Sequence, residues 1–424
     1  MERPGLITQL GMARSFIKDV YVNKARTEYG ARVLRAPVAR AITWPGRLNP
    51  YPYFDQVRDL APLSPSPREA NVHLSASHDV CKHILKSREF GVGGRTIVGK
   101  DEVEFSMSLL EMDPPEHSRL RRVAAPAFTP RRLTAYGTTI EKIVHERLDA
   151  VTPGARFDLL HQLAGPLPIR IISELIGVPE ADDELFMRWG TALGSALEGV
   201  HSLRHAQQVL GAKLGLDRMF ERLVQERRAD PRDDMLSLLV AEEGGAVRSE
   251  EILPLCTLLL VAGFETTVNL IGNAVLALMR NPDQWELLVG DPAAYAPRVV
   301  EETLRYDPPI QFTDRVALQD TTVGGYDVPA GDRVLCILAG ANRDPARFAR
   351  PNFFDITRTD NSDHLAFSGG VHYCVGAPLA RLEAEVALQV LAERMPTLHL
   401  AATPKRRNSV TIRGLRSLPV TAGA

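Results

Sequence analysis

"FSGGVHYCVGAPLAR", Phe367 to Arg381, is the stretch on which the reading of this chain turns. It sets one cysteine, Cys374, among Gly369, Gly370 and Gly376, with His372 two residues before it. The other cysteines, Cys81, Cys256 and Cys336, are far apart in sequence, and no Cys-x-x-Cys spacing occurs. The glycines permit backbone angles with positive φ and close approach by a flat ligand. Pro378 opens an apolar-periodic helix, "PLARLEAEVALQVLAERM", so Cys374 stands just ahead of a helix N-terminus. Unpaired N–H groups and the positive end of the dipole there stabilise a thiolate. Held on such a loop, a thiolate can act as nucleophile, zinc ligand or haem-iron ligand. Zinc finds no second cysteine or paired histidine at ligand spacing. A nucleophile has only His372 as a neighbouring base. Haem iron asks for one cysteine alone.

Composition narrows the frame. The chain has 424 residues and 45% hydrophobic content, ample for a globular core. A net charge of −2 gives no global attraction to nucleic acid or anionic membranes. Four scattered cysteines are no disulfide framework and favour a reducing, cytoplasmic setting. No stretch reads as long and apolar enough to span a bilayer, and no signal-peptide pattern opens the chain. Residues 1–48 form an extension in which nine Arg or Lys meet three acids. Leu6, Leu10, Ala13, Ile17 and Val20 follow helical spacing there, which predicts an amphipathic helix. It packs on the body or touches a membrane surface or partner.

Along the rest of the chain, 49–424, helix-rich and β-rich parts interleave in one domain, so the fold class is mainly α with a smaller β portion. Val72 to Leu74 predict a short strand, His78 to Lys86 a helix, and Phe90 to Met112 a loop. The strongest helix begins with Ser249 as N-cap and runs through "ILPLCTLLLVAGFETTVNLIGNAVLALMR" to Arg280. It is apolar on nearly every face, so it runs through the middle of the fold. Short β-like runs follow Pro308, then helix after Cys374, and strands around Val410 and Leu418 close the chain.

The order Phe367, Gly370, His372, Cys374, Gly376 resembles Phe-x-x-Gly-x-His-x-Cys-x-Gly, the haem-thiolate signature of the cytochromes P-450. The likeness runs from about Asn49 to the C-terminus and is of the soluble bacterial type. It implies haem b, iron protoporphyrin IX, with its iron on the Cys374 thiolate and dioxygen as co-substrate. In the long helix, Ala262-Gly263-Phe264-Glu265-Thr266 resembles the family's Ala-Gly-x-acid-alcohol segment. Thr266 would fix water beside bound oxygen, Glu265 would resupply protons, and Gly263 would make room for oxygen and substrate. His117 and Arg121 stand at i,i+4 and can reach one carboxylate. With Arg315 and His372 they match positions that hold the haem propionates. Arg119 and Arg122, elsewhere on that helix, are candidates for a basic face toward an acidic electron donor.

Glu302 and Arg305 resemble the family's structural Glu-x-x-Arg pair. Its third member is missing: Phe353 falls where an arginine would stand, and Arg358 is the candidate substitute. Expected pocket walls are the Phe90–Met112 loop, the Phe186–Ser202 stretch, Leu258, Leu259, Ala262, Ile310 and Phe312. They are apolar and imply a steroid, terpene, fatty acid or polyketide substrate. No flavin or nicotinamide fingerprint appears, so the resemblance implies a separate ferredoxin and ferredoxin reductase. A peroxide-driven enzyme and a non-catalytic haem-based gas or ligand binder are the alternatives.

Overall fold

The computed structural model describes residues 21–421 apart from 23, 68, 94–107, 180–181, 197–201 and 410. The amphipathic pattern of residues 6–20, much of the Phe90–Met112 loop, part of the Phe186–Ser202 stretch and Val410 lie outside the described residues. From Tyr51 onward, eleven helices of nine residues or more follow one another among the described residues. They are α1 (Tyr51–Leu60), α2 (His78–Lys86), α3 (Glu116–Ala124), α4 (Pro130–Asp149), α5 (Pro166–Ile176), α6 (Asp183–Ala196), α7 (Leu203–Ala229), α8 (Ser249–Arg280), α9 (Pro282–Gly290), α10 (Pro292–Tyr306) and α11 (Ala377–Arg394).

Helix α8 is the axis of the fold. It packs against α5, α6, α7, α10 and α11, as an element apolar on every face must. It is long and apolar enough to cross a membrane, which corrects the expectation that no stretch qualifies. Its apolar length is instead covered by other helices. Ser249 is the first helical residue, not the cap: its hydroxyl donates to Glu243, while Glu251 accepts the Arg248 N–H at 2.9 Å. The acid supplies the reciprocal half of a capping box by satisfying the N–H of the cap residue itself.

The strands are short. A five-stranded sheet runs β1–β2–β8–β5–β3, built from β1 (Ser64–Pro65), β2 (Val72–Ser75), β3 (Phe90–Gly91), β5 (Thr313–Ala317) and β8 (Arg333–Cys336). Register pairs Arg315 with Val334 and Thr313 with Cys336. A three-stranded sheet joins β4 (Arg156–Asp158), β12 (Pro419–Thr421) and β9 (His399–Leu400). Two ribbons complete the β portion: β6 (Thr321–Val323) with β7 (Tyr326–Val328), and β10 (Lys405–Arg406) with β11 (Leu415–Ser417). Mainly helical with a smaller β portion is therefore the observed class.

One buried carboxylate ties distant parts of the chain together. Asp307, just past α10, accepts from Tyr51 at 2.6 Å, Arg413 at 2.6 Å and Arg406 at 3.0 Å. Burial alone would raise its pKa, but Arg413 and Arg406 hold it well below the usual carboxylate range. The Arg343 guanidinium lies over the Tyr51 ring at 3.4 Å and the Tyr306 ring at 3.8 Å. N-terminal helix, central region and C-terminal strands meet there.

Candidate active site

The cysteine loop is shaped by its glycines, though against an unexpected neighbour. Gly370 has φ +62°, and a Cβ on it would stand 2.5 Å from the Leu85 carbonyl oxygen and 3.2 Å from Lys86 Cα. The close approach it permits is thus to the end of α2, and any side chain would push the loop away. Cys374 N–H donates to Phe367 O at 3.0 Å, closing the turn ahead of α11. Of the four cysteines only Cys374 is exposed. Yet the surrounding protein desolvates its thiol enough to push the pKa up, against the pull of the Gly376 and Ala377 N–H groups and of Arg121 and Arg381. The sulfur is thus open on one side and closely surrounded by protein on the others.

Helix α8, packed against α11, is also open along part of its length. Along the buried length of α8, Ala262 is exposed and Gly263 and Thr266 are half-buried. Thr266 Oγ1 donates to the Ala262 carbonyl at 2.9 Å, the helix-bending bond expected of it. Gly263 also serves packing. A Cβ there would meet Ile172 at 2.6 Å, so the glycine lets α5 seat against α8. Glu265 is 3% exposed, and its carboxylate pairs with Arg407 at 2.6 Å. It fills the space over Gly194, where a Cβ would lie 1.7 Å from Oε2.

Basic groups gather beside the loop. The His117 and His372 rings have centroids 4.4 Å apart. Burial lowers the His117 pKa, helped by Arg121. Burial, then Arg315 and His117, push His372 down to about 4. Arg315 is 4% exposed and donates to Thr313 Oγ1, Asp314 O and Ser368 Oγ. Arg121 donates to Val371 O at 3.2 Å. Against these four stands Asp113, 3.7 Å from His372 Nε2, and Asp113 also takes the Val92 and Gly93 N–H groups. His117 Nδ1 is buried without a hydrogen-bond partner among the described residues. Buried polar atoms are seldom left so. Four basic groups with one shared carboxylate, beside an open thiol, fit a flat macrocycle with two carboxylates and a thiolate-binding metal. Iron protoporphyrin IX is that group.

Glu302 and Arg305 lie elsewhere and are fully buried. All five Arg305 N–H positions are used: two go to Glu302 at 2.7 and 2.8 Å, the others to the carbonyls of Asn342, Pro351 and Phe353. Phe353 thus gives its backbone where an arginine side chain was sought. Arg358 approaches Glu302 Oε1 to 3.4 Å and supplies the second cation. Among the expected pocket walls, Leu258 and Leu259 are buried on α8, and Ile310 bridges to Ile412. Phe312 packs edge-on against Phe54, 5.4 Å away, in the α1 cluster.

Three residues escaped the sequence reading. Arg407 and Asp113 gave no local signal. Glu383 did: it stands four residues from both Leu379 and Ala387, on the apolar stripe of α11. It is 1% exposed, burial raises its pKa to about 8, and it hydrogen-bonds Thr267. Thr267 Oγ1 in turn donates to Gly263 O at 3.3 Å. An uncharged carboxyl therefore joins the cysteine helix to α8.

Comparison with known proteins agrees with this geometry. The cytochrome P-450 family profile matches residues 293–395. The cytochrome P-450 monooxygenase PikC of Streptomyces venezuelae is 39% identical over 386 residues, covering 88% of this chain and 91% of its own length. The ligand-free crystal structure of Mycobacterium smegmatis CYP164A2 superposes with a TM-score of 0.83 at 39% identity, covering 91% of this chain and 99% of that one. CYP109E1 of Bacillus megaterium, in complex with testosterone, gives a TM-score of 0.81 at 32% identity, covering 90% and 100%. With its thiolate loop, haem-fitting cation cluster and these likenesses, the chain belongs to the cytochrome P-450 family, the haem-thiolate monooxygenases that use dioxygen.

Proposed function

We propose that this enzyme hydroxylates an apolar small molecule in the cytoplasm, with two electrons brought by a separate ferredoxin and ferredoxin reductase. The observation that carries the reading is the pairing of an open, deep Cys374 with an exposed Ala262 and half-buried Thr266 on the helix packed against α11. When bound, haem supplies dioxygen activation and transfer of one oxygen atom to a C–H bond. Cys374 would hold the iron and lend it electron density. Arg121 and Arg315 would pair with the two propionates, and His117 and His372 would donate hydrogen bonds to them. The Thr266 hydroxyl gives its proton to Ala262 O and keeps its lone pairs for a water. Glu265, held by Arg407, would take up a proton originating in bulk solvent and pass it to that water. Leu258, Leu259 and Ile310 supply apolar walls that keep bulk water out.

A steroid, terpene, fatty acid or polyketide suits such walls, and the testosterone held by the Bacillus megaterium relative supports that range. Arg122, exposed on α3, offers a cation to an acidic donor protein. Arg119 does not, because Glu251 and Glu116 bind it. Glu265 and Thr266 weigh against a peroxide-driven enzyme, which has no need of delivered protons. A gas or ligand binder has no need of them either.

The test is turnover with a surrogate ferredoxin pair and NAD(P)H on a panel of apolar compounds chosen by difference spectra. Hydroxylated product dependent on NAD(P)H is expected, and Thr266→Ala should divert electrons to peroxide. Product that requires peroxide and ignores NAD(P)H would sink the reading.

A further inference from the structure

The N-terminal segment is packed inside out. Its small residues face inward: Gly30 and Ala31, on the helical stretch 24–32, are buried together with Ala36, Ala39 and Ala41. Ala31, Ala36 and Ala39 form a small cluster of their own. Its large apolar side chains face outward. Tyr29 is 55% exposed, Val33 60%, Leu34 46%, Trp44 66% and Leu48 45%. Of the sixteen exposed large apolar residues among the described ones, seven fall between Tyr21 and Leu60. Single exposed apolar residues need no explanation, but this concentration does.

Charge selects the occupant. Between Tyr29 and Leu48 there are four arginines and no acid. Across the first 48 residues nine basic residues meet three acids, in a chain whose net charge is −2. The Arg47 guanidinium sits 6.0 Å from the Trp44 ring centroid, a cation held beside the most exposed aromatic of that stretch. A second copy of the chain would bring the same surplus positive charge against this one, and like charges repel. Trp and Tyr rings interleaved with Arg, backed by aliphatic residues, suit the boundary between lipid headgroups and acyl chains. The twenty residues ahead of Tyr21 continue the composition, with Leu6, Leu10, Ala13, Ile17 and Val20 at helical spacing among Arg3, Arg14 and Lys18.

We propose that the face bearing Tyr29, Val33, Leu34, Trp44 and Leu48 docks the enzyme on an anionic lipid surface. The contact is peripheral: the apolar side chains enter the interface and the arginines meet headgroup phosphates. It would hold the enzyme where apolar substrates partition.

The test is flotation of the full-length, haem-loaded enzyme with vesicles of phosphatidylcholine, alone or with about one third phosphatidylglycerol. Binding to the anionic vesicles, weakened by salt, is expected. The triple variant Val33→Ser/Leu34→Ser/Trp44→Ser should bind them about tenfold or more weakly, and Arg32→Glu/Arg35→Glu likewise. These side chains are exposed, so an unchanged carbon monoxide difference band should accompany both losses. Quenching of Trp44 by bromolipids, seen as the difference from Trp44→Ser, reports insertion directly. Absence of anionic-vesicle binding, equal affinity for neutral vesicles, or undiminished binding by the triple variant each overturns the proposal. So does finding that the triple variant loses self-association or acidic-ferredoxin binding while keeping its vesicle affinity.

Discussion

Two groups of buried charge solve opposite problems. Around Glu302 and Arg305 every donor of the guanidinium has an acceptor, and Glu302 also takes the Asp355 N–H at 2.9 Å. Around His117 and His372 the groups are buried yet short of partners, with one carboxylate 3.7 Å from a ring nitrogen. A closed cluster holds a shape. An open, mostly basic one is built for something that arrives later, because a ligand carrying carboxylates gives its buried donors the partners they lack. The comparison separates scaffold from site without reference to any relative.

The contrast can be broken at four points. The largest effect belongs to Cys374→Ser, which should abolish turnover and remove the thiolate-type carbon monoxide band while the chain stays folded, as circular dichroism would verify. Next, Glu302→Ala leaves a buried guanidinium uncompensated. Loss of about 3–5 kcal/mol in denaturant unfolding is expected, with or without haem. Arg315→Leu attacks the open cluster instead. It should weaken haem retention about tenfold or more, measured by transfer to apomyoglobin, while costing far less apoprotein stability than Glu302→Ala. Equal losses in both assays would erase the distinction between the two clusters.

The smallest effect comes from Glu383, a third solution in which the buried group stays neutral. Unfolded, its carboxyl titrates near 4.5; folded, near 8. Between those values the folded state binds more protons, so this group makes stability fall as pH rises from about 4.5 to about 8. Glu383→Gln should flatten that slope and stabilise the protein near neutral pH by about 1–2 kcal/mol. A destabilised Gln variant with an unchanged slope would mean that Glu383 is ionised in the fold.

Much of this was legible in residue order. The cysteine loop, α8 and the i,i+4 pair His117/Arg121 are local patterns, and local patterns survive in sequence. A glycine in a buried helix reads alike whether it admits oxygen or, as Gly263 does, seats a neighbour such as Ile172. Arg407 went unseen because its tie to Glu265 depends on how the C-terminal strands pack against α8, and no period encodes that. The same holds for Tyr51, Arg406 and Arg413 around Asp307. Arg358 is legible only indirectly, as the basic residue next after the position that Phe353 occupies.

The Asp307 knot has a bearing on how the protein comes apart. Tyr51 opens the first long helix, while Arg406 and Arg413 flank a loop within twenty residues of the C-terminus. Unfolding that advances from either side must strip a partner from the same buried carboxylate. Fraying at the two ends is thereby coupled, and the barrier to both is one electrostatic event in a low-dielectric place. An interaction lost before the unfolding transition state slows unfolding, and so lengthens the lifetime of the folded state against proteases.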